Sequence, residues 1–132
     1  MGLDMMMYAQ LEGEELEFDT YSTNCIEVGY WRKDNQIHSW FVREVQDNVD
    51  DCGYYEVTTE QIKDLRDICL KVLQDHSLAE ELLEPRSGFF FGSTYIDEWY
   101  FEGLENTVTI LKECIVQYEE NPKVKFYYHS SW

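Results

Sequence analysis

The stretch DEWYFEGLENTVTILKECIVQYEENPKVKFYY (residues 97–128) decides the fold class. Phe101, Leu104, Val108, Leu111, Ile115 and Tyr118 recur in steps of three and four, which places them on one face of a helix. Asp97 stands at the cap position, and Asp97, Glu98 and Glu102 form an acidic start that suits the helix dipole. Asn121-Pro122 breaks the helix just beyond Tyr118. Val124, Phe126 and Tyr128 then alternate with Lys125, Tyr127 and His129, the period-two pattern of a strand.

Upstream of this stretch the same two periods recur. Residues 4–11 form an apolar run closed by a Glu12-Gly13-Glu14 turn, and residues 15–19 alternate, with Leu16 and Phe18 opposite Glu15, Glu17 and Asp19. This predicts a β-hairpin with one wet face. Residues 20–27 read as turn-rich. From Tyr30 to Gln46 a helix is expected, because Ile37, Phe41 and Val45 step by four and Trp31, Asn35, His38 and Val42 form a second, partly polar stripe. Residues 47–53 make a loop, and Tyr54–Val57 a short strand. Thr58 with Gln61 is a capping-box pattern that starts a helix, carried by Ile62, Leu65, Ile68, Cys69, Val72 and Leu73 and ending near Asp75. Ser77 can cap a short helix through Leu83, which Pro85 stops. Residues 86–96 place three consecutive phenylalanines between Gly88 and Gly92, a strand or a tight loop whose backbone passes close to something. The expected fold is α+β, an antiparallel sheet with three main helices packed mainly on one face, in a single domain spanning 1–132.

Composition narrows the function. There are 27 Asp and Glu against 10 Lys and Arg, for a formal charge of -17. Direct binding to nucleic acid needs clustered cations, and so does binding to anionic lipid, so both are disfavoured. No stretch approaches the roughly 20 apolar residues of a membrane helix. The start MGLDMMMYAQ lacks the basic region of a secretory signal. The four cysteines form no CxxC pair, and Cys69 and Cys114 fall in helical patterns as small buried hydrophobes. A reducing cytoplasm is the expected compartment.

Candidate chemistry is sparse. His38, Asp51 and Cys52 could meet around zinc, but close ligand pairs are absent. Asp47, Asp50 and Asp51 lack the pattern of a calcium loop. Cys52 with His38 is the one imaginable nucleophile arrangement and has no local signature. Ser93 lacks the GxSxG elbow. No catalytic residue, metal or cofactor is therefore expected, and His38, Trp31 and Asn35 read first as satisfied polar groups that fix the fold.

The stretches GYWRKDNQIHSWFV (29–42), VQDNVDDCGYYEV (45–57) and SGFFFGSTYIDEWYF (87–101) resemble a family of small accessory proteins encoded by bacteriophages and mobile elements. They cover about a third of the chain, 42 of 132 residues. The family has no assigned fold or activity, so the resemblance implies no catalytic role. It implies a context, a small protein acting in the cytoplasm of an infected bacterium, where such proteins often antagonise host defence.

Two functional expectations follow. The first is a non-enzymatic inhibitor that uses an acidic face to mimic DNA and docks on a basic, nucleic-acid-binding host protein, an anti-CRISPR acting on a CRISPR nuclease being the concrete case. Its contacts are expected at Glu12, Glu14, Glu15 and Glu17, at Asp47, Asp50 and Asp51, and at Asp97, Glu98 and Glu102, where the acidic residues are concentrated. Carboxylates grouped in this way steer association with a cationic partner and make affinity fall with salt. The second is a protein that sequesters a small, nucleotide-like signal in a pocket formed by Trp31, Arg32, Asn35, His38, Phe89, Phe91 and Tyr95. Neither expectation involves direct nucleic-acid or membrane binding, and a homodimer is compatible with both.

Overall fold

The computed structural model describes residues 2–10, 25–88 and 91–132. Among them the chain runs β1 (Asp4–Gln10), β2 (Cys25–Arg32), α1 (Asn35–Glu44), β3 (Tyr54–Val57), α2 (Thr59–Gln74), a 3-10 turn (His76–Leu78), α3 (Ala79–Leu82), α4 (Glu98–Glu120) and β4 (Lys125–Ser131). The strands form one sheet in the order β2-β1-β4-β3, and every neighbouring pair is antiparallel. The fold is α+β, with four helices among the described residues, of which α3 is a single turn.

Alternation along the central strands sets what lies inside. Met5 pairs with Ser130 on β4 and with Trp31 on β2, Met7 with Tyr128 and Gly29, and Ala9 with Phe126. Met5, Met7, Ala9, Trp31, Phe126 and Tyr128 are buried. On the other face, Met6, Tyr8, Tyr127 and His129 are half-buried and Tyr54 stacks on His129, ring centroids 4.0 Å apart. The stripe of α4 buries Leu104, Val108, Leu111, Cys114 and Ile115, and α2 packs on it through Ile62, Leu65, Cys69 and Val72. The capping box forms as read: Thr58 Oγ1 accepts the Gln61 amide at 3.2 Å, and Gln61 Oε1 accepts the Thr58 amide at 2.9 Å. Burial pushes the Cys69 and Cys114 thiols up to about 12, so both stay protonated. Gly29 lets α4 approach the sheet, since a Cβ there would collide with Ile110.

Several expectations need correction. The first helix begins at Asn35, not Tyr30, and ends at Glu44. Tyr30–Arg32 close β2, and Cys25–Glu27, read as turn, open it. The stripe Trp31, Asn35, His38, Val42 is continuous in spacing only, because Lys33 takes a left-handed φ of 59° between strand and helix. The Lys33 amide donates to Leu3 O at 2.7 Å, which fixes that corner. The partners of β1 are β2 and β4, and the strand expected at 15–19 lies outside the described residues. The described part of 86–96 is loop. The cap after α2 is Asp75, which accepts from the Ser77 amide at 3.1 Å. Among the described residues no helix is long and apolar enough to cross a membrane.

Candidate functional site

The corner between β2 and α1 places three charged residues in a row, Arg32, Lys33 and Asp34, under the first turn of α4. A cleft of about 250 Å³ opens there. Arg32, Lys33 and Asp34 line one side, the 92–95 loop and Asp97 another, and Trp99 and Tyr100 the helix side. Trp99 is 70% exposed and Tyr95 78%, the two most exposed large hydrophobic side chains among the described residues.

Asp34 is the unusual group. It holds the N-cap position of α1, yet its side chain makes no capping hydrogen bond. It lies instead against Gly103 in the middle of α4, where a Cβ would collide with Oδ1 and sit 2.9 Å from Cγ. No described residue donates a hydrogen bond to this carboxyl. The Gln36 amide beside it is committed to Tyr100 O at 3.3 Å. Asp34 is half-buried on the cleft wall, and this partial burial pushes its carboxyl up to about 6. The neighbouring cations are placed differently. Arg32 donates to Asp4 Oδ1 at 2.7 Å, and Tyr30 donates to the same carboxylate. The methylenes of Lys33 cross the face of Gly92.

Of the residues expected to form a ligand pocket, Arg32 and Tyr95 line this cleft. The structure places Trp31, Asn35, His38 and Phe91 in the interior, where each has a partner. The Trp31 indole donates to Thr107 Oγ1 at 2.8 Å. Asn35 holds the aromatic loop from inside: its Nδ2 donates to Phe91 O at 3.0 Å and Ser93 O at 2.8 Å, and its Oδ1 accepts the Arg86 amide at 3.0 Å. His38 has no solvent exposure. Burial lowers its pKa, so the ring is neutral. Tyr128, whose own pKa burial raises, then donates to Nδ1 at 2.6 Å, and Nε2–H donates to Asp50 at 3.0 Å. Phe91 meets the His38 ring edge-on, centroids 5.4 Å apart. Phe89 lies outside the described residues.

The acidic blocks also divide. Glu12, Glu14, Glu15 and Glu17 lie outside the described residues. Asp50 accepts from His38 and from the Trp132 indole at 3.1 Å, while Asp51 accepts the Gly53 amide at 3.0 Å and the Tyr55 hydroxyl at 2.7 Å. These two carboxylates hold their own loop, and Asp47 is the exposed member that makes no such bond. Asp97 caps α4 through the Tyr100 amide at 3.2 Å, with Glu98 and Glu102 exposed beside it.

No protein-family model, no curated protein and no solved structure matches the chain. Both nitrogens of His38 are engaged, so it is not placed to deprotonate Cys52, which is a half-buried free thiol. Among the described residues no group of three or more His, Cys, Asp or Glu could hold a metal ion. Ser93 Oγ, on the cleft wall, accepts the Tyr95 amide at 3.0 Å. Exposed aromatic rings beside carboxylates suit recognition of a cationic group. Sequence reasoning passed over Asp34, Trp99 and Gly103. With the helix read from Tyr30, Asp34 falls inside it and not at its cap, and only Gly103, a glycine inside a helical stripe, is locally out of place.

Proposed function

We propose that the chain is a phage-encoded, non-enzymatic inhibitor acting in the cytoplasm of the bacterial host. It docks the acidic end of α4 on the basic, nucleic-acid-binding surface of a defence protein, with a CRISPR nuclease as the concrete target. In this reading α1, α2 and α4 are the three main helices, covering the Met5–Met7 face of the sheet.

One observation carries the proposal: Trp99 and Tyr95 stand exposed among Asp97, Glu98 and Glu102. A surface made acidic for solubility alone has no use for a tryptophan in water. Interfaces concentrate their affinity in such aromatic anchors, and surrounding charge sets the partner's sign and the encounter rate. Beyond Tyr95 a wider depression of about 720 Å³ is lined by Glu80 and Glu84, which extends the negative field. Glu80, Glu84, Glu98 and Glu102 form no ion pair among the described residues, so their charge is directed outward.

The test is competition. Purified guide-loaded CRISPR nucleases would be titrated with the chain while bound fluorescent duplex DNA is followed by anisotropy. The expected result is displacement that weakens at least ten-fold between about 0.05 and 0.3 M salt. Trp99→Ala and the pair Glu98→Lys, Glu102→Lys should each raise the required concentration several-fold. Displacement unaffected by these substitutions, or none across a panel of such nucleases, overturns the proposal.

A further inference from the structure

Two local rules are broken at one point. A half-buried carboxyl has no hydrogen-bond donor among the described residues, and a glycine sits in the interior of a 23-residue helix. Each lowers stability: a helix-interior glycine by about 1 kcal/mol relative to alanine, and an uncompensated polar group by a similar or larger amount. The two are linked, because Gly103 has no Cβ where Asp34 Oδ1 approaches α4. Such coincident costs are expected where a site is kept for binding. The carboxyl lines a cleft whose mouth carries two exposed aromatic rings, Trp99 and Tyr95.

From this geometry we infer that the cleft is a socket for a single arginine side chain of the partner, its guanidinium paired with Asp34 and its plane against Trp99 and Tyr95. The inference rests on the docking proposal for the partner's identity, but not for the chemistry of the socket. A planar, weakly hydrated guanidinium gives up less hydration than an ammonium and stacks on aromatic faces. It also supplies the donors that Asp34 lacks and pairs with a carboxylate bidentately. The other charged groups at the cleft do not oppose this. Arg32 is turned to Asp4 and Tyr30, and Asp97 adds a second negative charge. The Lys33 chain is laid over Gly92, while Tyr100, which lines the cleft, and Tyr128, which feels the Asp34 charge, stay protonated.

The chain itself, without a partner, is the right sample. N-acetyl-argininamide would be titrated into labelled protein at pH 8 while the Trp99 indole and the Gln36 and Gly103 amides are followed by NMR. Saturable shifts with a dissociation constant in the millimolar range are expected. Asp34→Asn should weaken binding roughly ten-fold, and so should pH 5, where the carboxyl holds its proton. Trp99→Ala, at an exposed position, should weaken it several-fold without affecting the fold. Absence of saturation by about 50 mM overturns the socket. So does saturable binding of inorganic phosphate or adenosine monophosphate at the same resonances, which would make Arg32 and Lys33 the operative groups. Arginine binding with no displacement of DNA from any nuclease would leave the socket standing and remove the target class.

Discussion

Replacing Asp34 by Asn should make the protein more stable at neutral and alkaline pH, and the gain should grow with pH. The folded carboxyl titrates at about 6, against 3.8 for an unperturbed one. From about pH 4 to pH 6 the folded state holds a proton that the unfolded state has released, so ionising Asp34 lowers stability as pH rises through that window. The full shift corresponds to about 3 kcal/mol above pH 7, with about half of it already present at pH 5. Asparagine removes the charge but is still buried without a partner, at about 1 kcal/mol. The expected net gain is therefore about 1–2 kcal/mol at pH 8. The difference between variant and wild type should increase by about 1–1.5 kcal/mol from pH 5 to pH 8. Urea denaturation followed by tryptophan fluorescence at half-unit pH steps measures this, starting at pH 5 to stay clear of the sequence pI near 4.3. The difference between the two proteins is the quantity to read, because His38 acts in the opposite direction in both. A variant less stable than wild type at pH 8, or a difference that does not change with pH, would refute the assignment of a half-buried carboxylate without a hydrogen-bond donor.

Asn35→Ala should cost about 2–4 kcal/mol in the same denaturation assay, because it orphans the Arg86 amide and two carbonyls of the aromatic loop. A loss below about 0.5 kcal/mol would show that the loop is held by something else. His38 has a folded pKa below its unfolded value, so its contribution is complete above pH 6.5 and lost as pH falls below it. Imidazole nitrogen shifts should show a neutral ring protonated at Nε2 at pH 6.5, and a charged ring at that pH would contradict the hydrogen-bond assignment.

What the sequence made legible was local. The capping box at Thr58 and Gln61, the stripe of α4 and the alternation of β4 each lie within a few neighbouring residues, and each formed. The second strand was not legible, because Trp31, Asn35, His38 and Val42 keep helical spacing across a corner that only the left-handed Lys33 interrupts. The strand is set by partners far along the chain: Met5 and Met7 in pairing, and Ile110 against Gly29. The candidate site was hidden for the same reason. Asp34 falls inside the helix read from Tyr30 until the corner at Lys33 moves it to the cap and Gly103 is brought beside it, and the stripe of α4 does not show that Tyr100 turns inward and leaves Trp99 in water.

The same distinction explains why charge counting alone chose its residues unevenly. Clustering of acids marks Asp50 and Asp51 as a binding surface, yet they hold His38, Trp132, Gly53 and Tyr55 in place. Reversing their charge would break the loop and mimic a loss of binding, so Asp47 is the member of that block that reports on the field. Asp34 stands outside the acidic blocks, and it is a half-buried carboxyl to which no described residue donates a hydrogen bond. A group that satisfies its neighbours is accounted for by the fold, whereas one that lowers stability and satisfies nothing calls for a partner from outside. If that partner is a guanidinium, Asp34→Asn must be both the more stable protein and the weaker binder.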